Sequence, residues 1–206
     1  MGADGTLVVA AYEPELAGLR QRLAAPIAEG RIGLRAIGIG LVDAAAGAER
    51  ALYERSPARV ILIGTAGALP GALAVGAVVV ARAARLVVRP VEYAPGPMAQ
   101  RAEADRGLAE ALAAHLEAPL VEVASPVGIT SDDDEAARLA QTCAVEQLEC
   151  FALLRAAERA KVPATAVLAI ANRVGKNAAA EWRAHRVAAE AAAQDALSRA
   201  LAAIGY

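Results

Sequence analysis

Short apolar runs alternate with longer stretches of helical spacing from one end of the chain to the other. Residues 7–11 are a compact apolar run that predicts a strand, and 14–23 follow with Pro14 near the first turn and apolar residues at helical spacing. Residues 32–39 alternate as a strand, and 42–53 read as an alanine-rich helix. The run Val60-Ile61-Leu62-Ile63 is unbroken and mostly β-branched, the pattern of a strand buried on both faces. Residues 75–91 are rich in valine but interrupted by Arg82, Arg85 and Arg89, which predicts two strand segments or one long bent strand, with an irregular loop over 90–96. A helix over 105–116, a strand over 120–124 and a short helix over 134–141 come next. The last third predicts a helix over 149–161 stopping before Pro163, a buried strand over 165–171, and an alanine-rich helix over 178–204 that is long enough to contain one break.

Strands and helices in alternation predict an α/β fold, with helices on both faces of a central mixed, largely parallel sheet: a three-layer αβα arrangement. No linker, repeat or shift in composition divides the 206 residues, so residues 1–206 are expected to form a single domain.

Composition removes several kinds of function. Hydrophobic residues make up 57% of the chain, mostly through alanine. No run of roughly 18 apolar residues lacks charge, so no membrane association is expected. The longest apolar run, over 69–81, holds Pro70, Gly71 and Gly76 and reads as a turn and a buried strand. The net charge of −2 comes with no basic face, which argues against a nucleic-acid partner. The N-terminus does not show a basic region followed by an apolar stretch and a cleavage site, so a cytoplasmic location is expected, and Cys143 and Cys150 read as reduced, buried thiols. Two histidines, His115 and His185, both on helical patterns, are too few to suggest a metal site, and no cofactor is expected. Ser131-Asp132-Asp133-Asp134-Glu135 reads as a capped, dipole-matched helix start rather than a metal cluster.

Candidate chemistry lies at the carboxyl ends of the predicted strands, where α/β folds bind ligands. Four segments fall there: Tyr12-Glu13-Pro14-Glu15, Gly38-Ile39-Gly40, the predicted turn Gly64-Thr65-Ala66-Gly67, and Asn172-Arg173-Val174-Gly175. The second begins like a dinucleotide fingerprint, but Asp43 stands where the third glycine belongs. The third lacks the ending of a phosphate-binding P-loop, and no Gly-x-Ser-x-Gly nucleophile elbow occurs. The stretch Gln147-Leu148-Glu149-Cys150-Phe151-Ala152 puts a carboxylate at a helix start. Ile170-Ala171-Asn172 puts an amide just past a buried strand, 23 residues later. A carboxylate to grip a ribose diol and an amide to pull on a purine are what cleavage of an N-glycosidic bond requires.

In order and spacing these segments resemble the nucleoside phosphorylase and nucleosidase superfamily over nearly the whole chain. Ala11-Tyr12-Glu13-Pro14-Glu15-Leu16 resembles the segment carrying the water-activating glutamate of the nucleosidases. Ile37-Gly38-Ile39-Gly40 is similar to the family's second strand and turn, and Ile63-Gly64-Thr65-Ala66-Gly67-Ala68-Leu69 to its glycine-rich turn. Val145-Glu146-Gln147-Leu148-Glu149 resembles its Met-Glu ribose clamp. Within the superfamily, Ile170-Ala171-Asn172-Arg173-Val174-Gly175 with Trp182 ten residues beyond Asn172 looks most like the futalosine hydrolases, which remove hypoxanthine from futalosine in a menaquinone pathway. Adenine-releasing relatives carry Asp where this chain has Asn172. An amide, with both a donor and an acceptor, suits a 6-oxopurine.

The resemblance implies a purine nucleosidase without a cofactor, with Glu15 as general base toward water, Glu149 on the ribose hydroxyls and Asn172 on the departing base. Thr65, Ala66 and Gly67 would line the sugar or water site, Leu148 would lie under the sugar where the family has Met, and Ile129 would approach the purine face. It also implies a homodimer or higher homo-oligomer. Two departures stand out: Ala171 replaces a serine that orients the neighbouring side chain, and Gln147 stands where an acid is common. A phosphorylase using phosphate and a non-catalytic nucleoside binder are the alternatives. Arg20, Arg22, Arg82 and Arg85 do not fall in the family's phosphate pattern, which favours water.

Overall fold

A computed structural model describes residues 5–71, 73–88 and 97–205. The chain begins β1 (Thr6–Ala10), α1 (Pro14–Arg22), α2 (Ala24–Ala28), β2 (Ile32–Ala36), α3 (Gly40–Arg55) and β3 (Arg59–Ala68). It continues β4 (Val78–Leu86), β5 (Arg101–Glu103), α4 (Arg106–Leu116), β6 (Leu120–Ser125) and α5 (Asp133–Leu139). It ends β7 (Val145–Glu146), α6 (Cys150–Ala160), β8 (Ala164–Arg173) and α7 (Ala178–Ile204).

The expected α/β class and mixed sheet are observed. Strands β1, β2 and β8 run parallel to their neighbours on the β3 side, and β4, β6 and β7 are parallel to one another in turn. Antiparallel pairings join β4 to β8, β4 to β5 and β3 to β7. Together these pairings close a ring, β3 to β8 to β4 to β6 to β7 and back to β3, with β1 and β2 extending the sheet from one side of β3. Helix α7 packs on β8 and β3 and touches α1 and α4, while α3 and α6 pack on each other and α6 reaches β4, β6 and β8.

The core follows from the apolar runs. Val60, Ile61 and Leu62 are fully buried, as are Val167, Leu168 and Ile170 on the strand beside them. Buried alanines on α7 (Ala193, Ala200) let that helix approach the sheet closely, and those on α3 (Ala44, Ala48) suit its close packing on α6.

Several elements differ from expectation. Gly64-Thr65-Ala66-Gly67 is the second half of β3, not a turn. The strand continues because β8 pairs with it along its length and β7 takes over its other edge where β1 stops. Asn172 likewise lies inside β8 rather than past it. The short strands β5 and β7 carry too few residues to show a period in sequence. The valine-rich stretch forms one strand, β4, with an irregularity between Ala81 and Ala83; residues 89–91 of that stretch and the loop expected over 90–96 lie outside the described residues. Helix α7 runs without a break, and α5 starts with Asp132 accepting the Glu135 N–H, as the acidic run predicts.

Candidate active site

A cavity of about 460 Å³ opens at the carboxyl ends of β1, β3 and β8. Every residue to which the resemblance gave a role lines it. Glu15, Thr65, Ala66 and Gly67 come from the first third of the chain, and Ile129, Leu148, Glu149 and Asn172 from the rest. Tyr12, Ile39, Glu146, Gln147, Trp182 and Arg183 line it as well.

Glu15 sits in the first turn of α1 and is 4% exposed. One carboxylate oxygen accepts the Thr65 N–H at 3.1 Å, the other the Ala11 N–H at 3.2 Å. Gln194 on α7 donates to the Glu15 backbone carbonyl at 3.0 Å and fixes the turn from behind. Burial pushes the carboxyl up from its ordinary 4.5 to about 8; the Thr65 N–H opposes that rise and the nearby Glu149 adds to it. Gly64 explains how the group fits: a β-carbon there would lie 2.9 Å from Glu15 Oε1.

Glu149 precedes α6, where a carboxylate would ordinarily cap the helix, yet its side chain makes no cap. Gln147 does so instead. Its carbonyl oxygen accepts the N–H groups of Glu149 at 3.0 Å and Cys150 at 2.7 Å, and its amide donates to the Glu149 carboxylate. The other carboxylate oxygen accepts the Gly40 N–H at 2.6 Å, at the start of α3, where the helix dipole favours an anion. Burial raises the proton affinity of Glu149 and these donors pull it back. Ser125, fully buried at the end of β6, donates to the Gln147 backbone carbonyl at 2.7 Å and accepts the Phe151 N–H at 3.2 Å.

Asn172 is 8% exposed and pairs in register with Gly67. Its amide nitrogen donates to the Arg173 carbonyl at 2.9 Å, which leaves the amide oxygen and one N–H for another partner. A β-carbon on Gly67 would meet that nitrogen at 2.9 Å. With Ala171 as its neighbour, the Asn172 side chain is held by a backbone carbonyl and by the room that Gly67 leaves. Trp182 on α7 donates its indole N–H to the Thr65 hydroxyl at 3.2 Å, and Arg186 lies over its ring, 5.2 Å from the centroid. Tyr12 donates to the buried Glu190.

Sequence reasoning missed Ser125, Glu190 and the functional placement of Glu146. Glu146 lies on a two-residue strand with no period of its own, while Ser125 ends β6 and Glu190 lies on α7, elements whose spacing does not say which polar side chain reaches the cavity region. His115 and His185 are both exposed on helices, and His185 Nδ1 lies 2.9 Å from the Glu181 carbonyl. Among the described residues no group of His, Cys, Asp and Glu could hold a metal ion, and no helix is long and apolar enough to cross a membrane. Cys143 and Cys150 are buried free thiols.

Solved structures with this fold are similar along the whole chain. The 5'-methylthioadenosine/S-adenosylhomocysteine nucleosidase of Neisseria meningitidis, in complex with methylthio-immucillin-A, is 19% identical with a TM-score of 0.87, over 97% of this chain and 99% of that one. A futalosine hydrolase mutant of Helicobacter pylori is 14% identical with a TM-score of 0.86, over 97% and 99%. The Streptococcus pneumoniae MTA/SAH nucleosidase in complex with 8-aminoadenine is 22% identical with a TM-score of 0.86, over 96% and 98%. None of the curated proteins matches the sequence significantly. The family model of the phosphorylase superfamily matches residues 18–204, and the chain belongs to that superfamily.

Proposed function

We propose that the protein is a purine nucleosidase that hydrolyses the N-glycosidic bond, with a 6-oxopurine nucleoside of the futalosine type as substrate. The observation that carries this reading is the convergence of two buried carboxylates, Glu15 and Glu149, with the Asn172 amide on one cavity. Glu149 accepts hydrogen bonds from the ribose hydroxyls and stabilises the positive charge that grows on the ring as the bond breaks. Glu15 takes a proton from water as its oxygen bonds to C1'. The C1'–N9 pair leaves with the purine, which Asn172 holds through the group not spent on Arg173, and the purine takes up a proton from water. Thr65, Ala66 and Gly67 border the sugar, Leu148 lies beneath it, and Ile129 faces the base.

Water is favoured over phosphate by charge. Among the described residues the cavity wall carries Glu15, Glu146 and Glu149 against one cation, the exposed Arg183. A phosphate dianion placed there would find one exposed cation to hold it and would be repelled by each of these carboxyls that is ionised. The reading includes assembly into a homodimer or larger homo-oligomer, which the exposed Ile39 and Ile129 at the cavity favour.

The test is base release from futalosine, aminodeoxyfutalosine, inosine, adenosine and methylthioadenosine, with and without phosphate. The expected result is hypoxanthine from futalosine without phosphate, slowed at least about 100-fold by Glu15→Gln and by Glu149→Gln. Preferential adenine release would move the substrate to the other branch, a strict need for phosphate would replace hydrolysis with phosphorolysis, and no release from any of them would overturn the enzyme reading.

A further inference from the structure

Glu146 is the second residue of the two-residue strand β7 and is 6% exposed. One carboxylate oxygen accepts the Thr130 N–H at 3.1 Å and so ties down the segment that carries Ile129. The other oxygen, Oε2, is buried and, among the described residues, has no hydrogen-bond partner. Buried acceptors without a donor are rare, because the group has given up water and gained nothing in exchange. The Thr130 hydroxyl also hydrogen-bonds to this carboxylate, but a neutral acceptor would serve both Thr130 donors, and burying a carboxylate for that task alone is costly. Glu146 lines the cavity, and Oε2, closed to water in the free protein, would meet a ligand's N–H there after a small turn of the side chain.

The register of the sheet says where such a ligand would lie. Gly67 on β3 pairs with Asn172 on one side and with Glu146 on the other. Residues directly paired across strands project to one face, and the contact between a Gly67 β-carbon and the Asn172 amide places that face on the cavity side. Asn172 and Glu146 therefore flank a position without a side chain. Two strand spacings, about 10 Å, separate their backbones, a span that a bicyclic base and a hydrogen bond at each edge can fill.

We propose that Glu146 is the residue that reads the pyrimidine edge of the base: Oε2 accepts the N1–H of a 6-oxopurine while Asn172 meets the opposite, imidazole edge. An adenine offers a lone pair at N1 and sets acceptor against acceptor. The inference rests on the proposed function for the ligand being a purine nucleoside, and adds which atom of the base is recognised and by what.

The experiment uses the full chain and free bases, so that it does not depend on turnover. Hypoxanthine, 1-methylhypoxanthine and adenine are titrated calorimetrically against the parent, Glu146→Gln and Glu146→Val. KM and kcat are then measured for the nucleoside that the parent cleaves. The parent is expected to bind hypoxanthine roughly 10- to 100-fold more tightly than 1-methylhypoxanthine or adenine, the worth of one hydrogen bond to a charged group. Glu146→Gln, whose amide can donate as well as accept, should shrink the hypoxanthine-to-adenine ratio at least tenfold and change KM more than kcat. Equal binding of hypoxanthine and its 1-methyl derivative by the parent would overturn the proposal, with no variant needed. Selective binding of hypoxanthine without cleavage of any nucleoside would uphold the Glu146 reading and sink the nucleosidase one. Binding of neither base would overturn both.

Discussion

Glu15 ties catalysis and stability to the same proton. Its folded-state carboxyl is raised to about 8 by burial, above the ordinary value of 4.5 that it regains on unfolding. A carboxyl raised in this way adds stability that is fully present below about 4.5 and is lost as pH rises through 8, because over that window the folded state holds the proton and the unfolded state does not. The parent should lose up to about 1.4 kcal/mol per pH unit across the window. Glu15→Gln should flatten that slope, which urea denaturation at pH 5, 7 and 9 would reveal. A base must be ionised to act, so kcat/KM of the parent should climb about tenfold per unit below pH 8 and level off above it. The same substitution should lower kcat by about 10²- to 10⁴-fold, the usual share of general-base catalysis. A parent whose stability is unchanged between pH 5 and 9 would contradict the buried, protonated carboxyl. Gln147 offers a second residue-level test. As an amide it caps α6 and donates to Glu149 at once; an acid could accept the helix N–H groups but would face Glu149 as a like charge. Gln147→Glu should therefore move the pH–rate limb upward and cut kcat/KM by roughly tenfold at neutral pH. An unmoved limb would mean that the Gln147 amide does not support Glu149.

The long elements were legible because their periods are long. Continuous apolar runs marked the cores of β3 and β8, alanine-rich helical spacing marked α3 and α7, and the Asp132 cap marked the start of α5. The glycine-rich stretch misled because glycine usually signals a turn. Here the strand persists through Gly64 and Gly67 since β8 supplies backbone partners throughout, and the glycines make room for the Glu15 carboxylate and the Asn172 amide. Pattern alone cannot tell a glycine that bends the chain from one that admits a distant side chain. Glu146 was illegible for a related reason: a two-residue strand has no period, and only the ring of strands gives it a face. Gly64→Ala tests this account of β3. Its β-carbon would push on the far end of a side chain rather than on backbone, so the fold should survive with a small change in Tm. Displacement of Glu15 should lower kcat at least tenfold, as misplacement of a catalytic group does. Turnover equal to the parent's would show that the close approach of Gly64 and Glu15 is incidental.

Across the whole molecule, the candidate site draws on residues from 11 to 183 and on strands that meet only once the ring has closed. Long pairings such as β3 with β8 hold most of that ring, while β7 contributes a ladder of two residues to β3 and two to β6. The bonds from Leu69 N–H to the Ala144 carbonyl and from Gln147 N–H to the Ala124 carbonyl continue the seam on either side. A seam of so few bonds is the natural place for local opening, and it carries Glu146 and leads directly into Glu149. Amide protons along 144–147 should accordingly exchange with deuterium sooner than those of Ile61 or Leu168. A base seated between Asn172 and Glu146 would bridge the two sides of the seam, so saturating hypoxanthine should slow that exchange while leaving the centre of β3 as it was. The ligand would then serve as the ring's missing clasp, and occupancy of the cavity could be followed from the outside by how long 144–147 keep their protons.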